Sequence, residues 1–181
     1  QVRIWEKKKE KLAKAEEEKK QARERWTRSR FAKRCRRLRD RMKEEIPVKK
    51  WHFFFDDEFV KRPYLLAVEE STTPTTESIA KNQGYALSGL VTNFYKRYDN
   101  LLDLKKLNRP RGVFVFTSKD SYREFYEWDQ KERGGGYPNP TGIGGFFSGN
   151  RERMYLWYKG NVGMDLTAVM FHEGTHQLMH Y

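Results

Sequence analysis

Residues 171–181 read FHEGTHQLMHY and contain three of the chain's four histidines, with a glutamate beside the first. His172-Glu173-Gly174-Thr175-His176 has the spacing H-E-x-x-H. On an α-helix, residues four apart differ by ~40° in direction and ~6 Å in rise. Two imidazoles so placed can converge on one ion, with Zn–N distances of ~2.0–2.1 Å. Glu173 lies ~100° round the helix from His172. From there it reaches a metal-activated water, whose pKa zinc lowers to about 7, and takes its proton as the water attacks a carbonyl. The expected roles are zinc ligands at His172 and His176 and a general base at Glu173. The alternative is a helix whose histidines only make hydrogen bonds. If the helix continues, His180 lies ~12 Å along the axis from His172, too far to share one ion comfortably. It is expected as a hydrogen-bonding neighbour of the ligands or as a residue of the helix end. Tyr155, Tyr158, His180 and Tyr181 are candidate donors to a developing oxyanion by chain proximity, and each is also a candidate packing residue.

The motif needs a helix to hold it. Asp165 reads as an N-cap, and Leu166, Val169, Met170 and Phe171 give an apolar lead-in. Gly174 is unfavourable inside a helix, by ~1 kcal/mol against Ala, so a close approach of another backbone is expected there. Just before it, FFSGNRERMYLWY reads as a hairpin turning at Gly149-Asn150. Further upstream, WHFFF, PYLLAVEE and RGVFVFTS read as strands, with a turn at Asp56 and Asp57. Glu77–Tyr98 reads as a helix with Ile79, Gln83, Ala86, Leu87, Leu90, Phe94 and Tyr98 inward. Thr117 or Ser118 caps a short helix bearing Tyr122, Phe125 and Tyr126. The resulting order is helical arm, β, β, α, β, α, β, β, α. This predicts an α+β domain with a mixed or antiparallel sheet, preceded by a long charged N-terminal helix.

FHEGTHQLMHY, with GGFFSGNRERMYLWY before it, resembles the gluzincin-type metallopeptidases. More narrowly it is similar to peptidase MA-like domains and to a bacterial family of unknown function whose helix reads H-E-x-T-H-Q-L. The likeness spans roughly residues 62–181 and includes RPYLLAVEES, the 77–98 helix and RGVFVFTS. It implies a zincin-like fold, zinc on His172 and His176, Glu173 as base, and a peptide or protein substrate. It also implies an edge strand, expected within 151–158, that takes an extended peptide by strand addition. Gluzincins draw a third ligand, usually Glu, from a helix downstream of the motif. Here that ligand is expected beyond Tyr181, which would make 62–181 an incomplete zincin-like domain. The resemblance points to an exported bacterial protein.

Charge divides the 181-residue chain. Residues 1–50 hold 21 of its 37 Lys and Arg but 9 of its 25 Asp and Glu, which leaves 16 of each sign in the rest. The pI of 9.7 therefore describes a basic helical arm over 1–46, joined through a segment and strand at 47–61 to the domain. From Val2 to Ile46 there is no Gly or Pro, and Pro47 ends the helix. Phe31, Cys35, Leu38, Met42 and Ile46 form one apolar stripe. The arm could contact a protein or a polyanion, with Trp26 and Phe31 available to stack on bases. It reads more simply as a solvated helix, or as a linker packing its stripe on the domain. This is the basis of a second hypothesis, a non-catalytic zincin-like scaffold whose arm is the working part. The glycine-rich loop 134–145 lacks the Lys-Ser/Thr of a phosphate-binding loop and is expected to flank the active-site cleft. Asp56, Asp57 and Glu58 could meet a cation, although a turn explains them. His52 is expected at the edge of the core. The lone Cys35 excludes an internal disulfide and leaves the compartment open. No run approaches the ~18 apolar residues of a membrane span. The chain begins at Gln1, so a preceding segment is expected.

Overall fold

The computed structural model describes residues 2–54, 64–71, 75–98, 100, 109–139, 142–158 and 166–180. The expected turn at Asp56 and Asp57, Glu58, the cap at Asp165 and Tyr181 lie outside them. The order is α1 (Val2–Arg28), α2 (Arg30–Glu45), β1 (Trp51–Phe54), β2 (Tyr64–Glu69), α3 (Thr75–Tyr98), β3 (Arg111–Phe116), α4 (Lys119–Arg133), β4 (Gly145–Ser148), β5 (Arg153–Trp157) and α5 (Leu166–Met179). The five strands form one mixed sheet in the order β1-β2-β3-β5-β4. The three central strands are parallel, and β1 and β4 run antiparallel to their neighbours at the two edges.

Helices cover both faces of the sheet. Alternation sends Leu66, Val68, Val113, Val115, Met154 and Leu156 into one core beneath α3 and α5. The intervening Leu65, Ala67, Phe114, Phe116, Tyr155 and Trp157 enter a second core beneath α2 and α4. With both faces covered, β2, β3 and β5 are buried at every position. Their sequences accordingly read as near-continuous apolar runs rather than alternating ones.

The basic segment is not one helix. Ser29 adopts an extended backbone (φ −67°, ψ 155°), and its hydroxyl accepts from the Ala32 amide at 3.1 Å, capping α2. A serine cap interrupts a helix without Gly or Pro. Upstream, every described side chain of α1 is exposed. Downstream, Cys35, Leu38, Met42 and Ile46 are buried as their spacing predicts, and the last three belong to the core beneath α2 and α4. Burial raises the Cys35 thiol to about 12, which makes it a packing group at neutral pH.

Ser118 caps α4, accepting from the Ser121 amide at 3.1 Å. Glu69, at the end of β2, ties that helix start to the sheet. Its carboxylate accepts from the Thr117 amide and hydroxyl, both at 2.9 Å, and from Ser121 Oγ, with Lys49 Nζ 3.2 Å away. The hairpin turn differs from the expected two-residue form. It spans Gly149–Glu152, and Glu152 takes the left-handed backbone (φ 54°) while its carboxylate pairs with Arg111. His52 is not at the core edge. It projects from edge strand β1 into solvent, 3.5 Å from Glu70. From the glycine-rich loop, Tyr137 is buried in the second core, so at that point the loop is anchored.

Candidate metal centre on helix α5

Helix α5 buries Leu166, Val169, Met170, Gly174, Gln177 and Leu178. This 3–4 spacing seats one face on the sheet and leaves His172, Thr175 and His176 exposed on the other. The close approach at Gly174 comes from a side chain, not from a backbone. The Leu90 methyl of α3 occupies the place of a Cβ, and Met154 Sδ lies 3.9 Å from that place. Glycine is therefore the residue that lets α3 and α5 meet here.

His172 Nε2 and His176 Nε2 face each other at 3.2 Å, with ring centroids 4.8 Å apart and planes at 85°. Two nitrogens on one tetrahedral zinc, each at ~2.05 Å, are separated by ~3.3 Å. The observed separation is close to that value, and it is equally the length of a hydrogen bond between the two rings. In this geometry one ring N–H donates to the other, the direction set by the tautomers. Glu173 sits half-buried between the histidine face and the sheet, and its Oε2 accepts from the Phe147 amide at 2.8 Å. Burial pushes its carboxyl above the usual range, opposed by the Phe147 hydrogen bond and by His172 and His176. One oxygen is held by the backbone, and the second retains its capacity to accept.

A cleft of about 540 Å³ opens here, lined by Phe146, Phe147, Gly149, Glu173, His176, Met179 and His180. The His180 ring stands edge-on to Phe147 at 5.7 Å, and its amide donates to His176 O at 3.1 Å. His180 therefore lines the same cleft. Among the described residues, no three His, Cys, Asp or Glu side chains form a metal-binding group. The residues present fit two ligands of a zinc site and supply no third among those described.

Tyr155 and Tyr158 lie elsewhere. Tyr155 points to the opposite face of the sheet, fully buried, and its hydroxyl meets Tyr137 Oη at 3.1 Å and the Glu45 carboxylate. It cannot donate to chemistry on α5. Tyr158 follows β5 and packs on the core beneath α3 and α5. That is the end where α5 starts: Val169 lies against Gly144, whose carbonyl accepts from Trp157 N. The histidines lie towards the other end, beside Phe147.

The edge strand is β4, not a strand within 151–158, because β5 is enclosed between β3 and β4. Phe147 pairs with Met154 across β4 and β5, yet its amide goes to Glu173. The glutamate therefore reads the outer side of the edge strand. Neither this amide nor the contribution of Phe146 and Gly149 was visible from side-chain types, since backbone donors carry no sequence signature. Comparison with protein-family models, with curated proteins and with solved structures finds no match for this chain.

Proposed function

We propose that this protein is a zinc-dependent peptidase that hydrolyses peptide bonds at the α5–β4 cleft. The observation that carries the reading is the 3.2 Å approach of His172 Nε2 and His176 Nε2, with Glu173 on the adjacent helix position. His172 and His176 would hold the ion. Bound there, zinc supplies Lewis acidity towards a carbonyl oxygen and a water. Glu173 takes a proton from the attacking water and passes it to the leaving amine as the C–N bond breaks. Phe147 N–H holds one carboxylate oxygen and so orients the other. Strand β4 is a half-buried sheet edge beside the base; its Phe147 N–H is taken by Glu173, so an extended peptide lying along it would pair with the remaining outward backbone groups. The fold class supports this reading in coarse form, as an α+β architecture with a helix over a sheet edge.

The test is hydrolysis of a mixed peptide pool by the purified protein loaded with zinc, by the same protein after chelation, and by Glu173→Gln. Cleavage that needs both zinc and Glu173 supports the proposal. Cleavage indifferent to either would sink it.

One observation favours a second reading, a non-catalytic module working through α1. Trp5 and Leu12 are 75% and 60% exposed on a helix with no buried described side chain, as suits a surface for a protein partner. Deleting residues 1–28 would then abolish partner capture, and intact capture would exclude it.

A further inference from the structure

A second and larger cleft, about 940 Å³, lies at the end of the sheet between α2 and the β4–β5 turn. Six arginines line it: Arg34, Arg37 and Arg41 from α2, Arg109 ahead of β3, and Arg151 and Arg153 from the turn and β5. The α2 residues fall at spacings of three and four, one stripe of a helix, beside the apolar stripe that seats α2 on the sheet. Two carboxylates share the lining, and both face cations outside it. Glu152 pairs with Arg111, and Asp40 lies 3.6 Å from Arg39. Glu45 stands between Arg151 at 3.6 Å and Arg153 at 3.5 Å, one charge against two. Among the described residues lining it, the cleft therefore carries a positive excess on a concave wall built from three remote segments. Such a wall concentrates anions.

Its position gives the cleft a use. Gly149 lines both this cleft and the histidine cleft, so one turn forms their common wall. A chain lying along β4 and passing Gly149 enters the arginines directly. No aromatic ring is among the described residues lining the cleft, so nucleic-acid bases would find no stacking platform there. Carboxylates or phosphates on a flexible polypeptide need only guanidinium partners, which bind them in a planar, two-point fashion.

We propose that the arginine cleft is a docking site for an acidic stretch of the polypeptide whose neighbouring segment lies in the histidine cleft. The proposal rests on the peptidase reading for its substrate, but binding can be measured without turnover. The experiment uses the full chain and fluorescence anisotropy with three labelled probes: a Glu-rich peptide, the same peptide with Gln for Glu, and a single-stranded oligonucleotide of equal charge. The Glu-rich peptide should bind, more weakly as salt rises, and the Gln peptide should not. Arg37→Gln, Arg41→Gln and Arg109→Gln combined should weaken it about tenfold or more, since these three are exposed and carry charge rather than packing. Lys11→Gln, Lys14→Gln and Lys19→Gln combined remove equal charge from the exposed α1 and should leave affinity within about twofold. Equal weakening by the α1 variant, or none by the arginine variant, would overturn the site. Tighter, arginine-dependent binding of the oligonucleotide would overturn its assignment to polypeptide. If the acidic peptide binds as described and no peptide is cleaved, the docking site stands and the peptidase reading falls.

Discussion

At the scale of residues, the chemistry depends on which way a few side chains point. His172 and His176 were legible because helix geometry alone fixes their relation, and the 3.2 Å approach of their ring nitrogens follows from a spacing of four. Glu173 was legible as their neighbour, but its backbone partner was not. Tyr155 misleads for the converse reason. It is near the motif in sequence, yet strand alternation sends Met154 and Leu156 towards α5 and Tyr155 to the other face. Glu173→Gln is expected to lower peptide turnover roughly 10²–10⁴-fold, the usual worth of a general base, while zinc content stays at the wild-type level. Steady-state kinetics beside metal analysis would show this, and loss of zinc in that variant would mean the residue holds the ion. Replacing Tyr155 by Phe should leave turnover unchanged and lower thermal stability, because it strips a buried partner from Glu45 and Tyr137.

At the scale of elements, the strands and helices were largely readable from their periods, and their arrangement was not. The order of strands in a sheet is set by crossovers that leave no local trace. The unbroken burial of Arg153–Trp157 still marks β5 as an interior strand, which is why β4 and not β5 forms the edge by the histidines. Two joints hold these elements in place. Gly174→Ala puts a methyl where Leu90 lies. Overpacking costs ~1–3 kcal/mol, and the helix preference of Ala returns ~1. A net loss of about 1 kcal/mol is expected in chemical denaturation. Combined with Leu90→Ala, the loss should be smaller than the sum of the two single losses. The second joint is Glu69. Burial alone would raise its carboxyl, but the hydrogen bonds from Ser121 and Thr117 and the charge of Lys49 outweigh that and hold it below the usual range. A lowered folded pKa means that the unfolded chain binds more protons in this window. The stabilisation is present above the ordinary Glu range and is lost as pH falls through the lowered value. Glu69→Gln should therefore cost about 2 kcal/mol at pH 7 and progressively less as the solution is acidified, read as converging melting temperatures.

At the scale of the whole molecule, the basic N-terminal segment is two things. Charge and the absence of Gly and Pro made it look like one arm, and the serine cap that divides it is a weak signal in a row of good helix formers. The α1 part lies in solvent, whereas α2 closes one face of the sheet. Leu38, Met42 and Ile46 are fully buried at ~1.5–3 kcal/mol each. Their combined ~5–9 kcal/mol rivals the ~5–15 kcal/mol that a whole domain possesses. A chain starting at Ser29 should melt cooperatively near the full-length temperature, and one starting at Pro47 should not fold. Scanning calorimetry on both separates a mere arm from a structural layer. The placement of α2 also turns its arginines from a scattered charge run into one wall of a cleft, a feature that appears only when Arg109 and Arg151 arrive from far along the chain.

If α5 grips a metal ion through His172 and His176, zinc binding should depend on both. The most direct measurement is zinc bound per chain in a calorimetric titration, for the wild-type protein, His172→Ala, His176→Ala and Glu173→Gln. One zinc is expected in the wild type and in Glu173→Gln, and none in either histidine variant. A wild-type protein that binds no zinc, or histidine variants that bind it fully, would rule out a metal centre on α5.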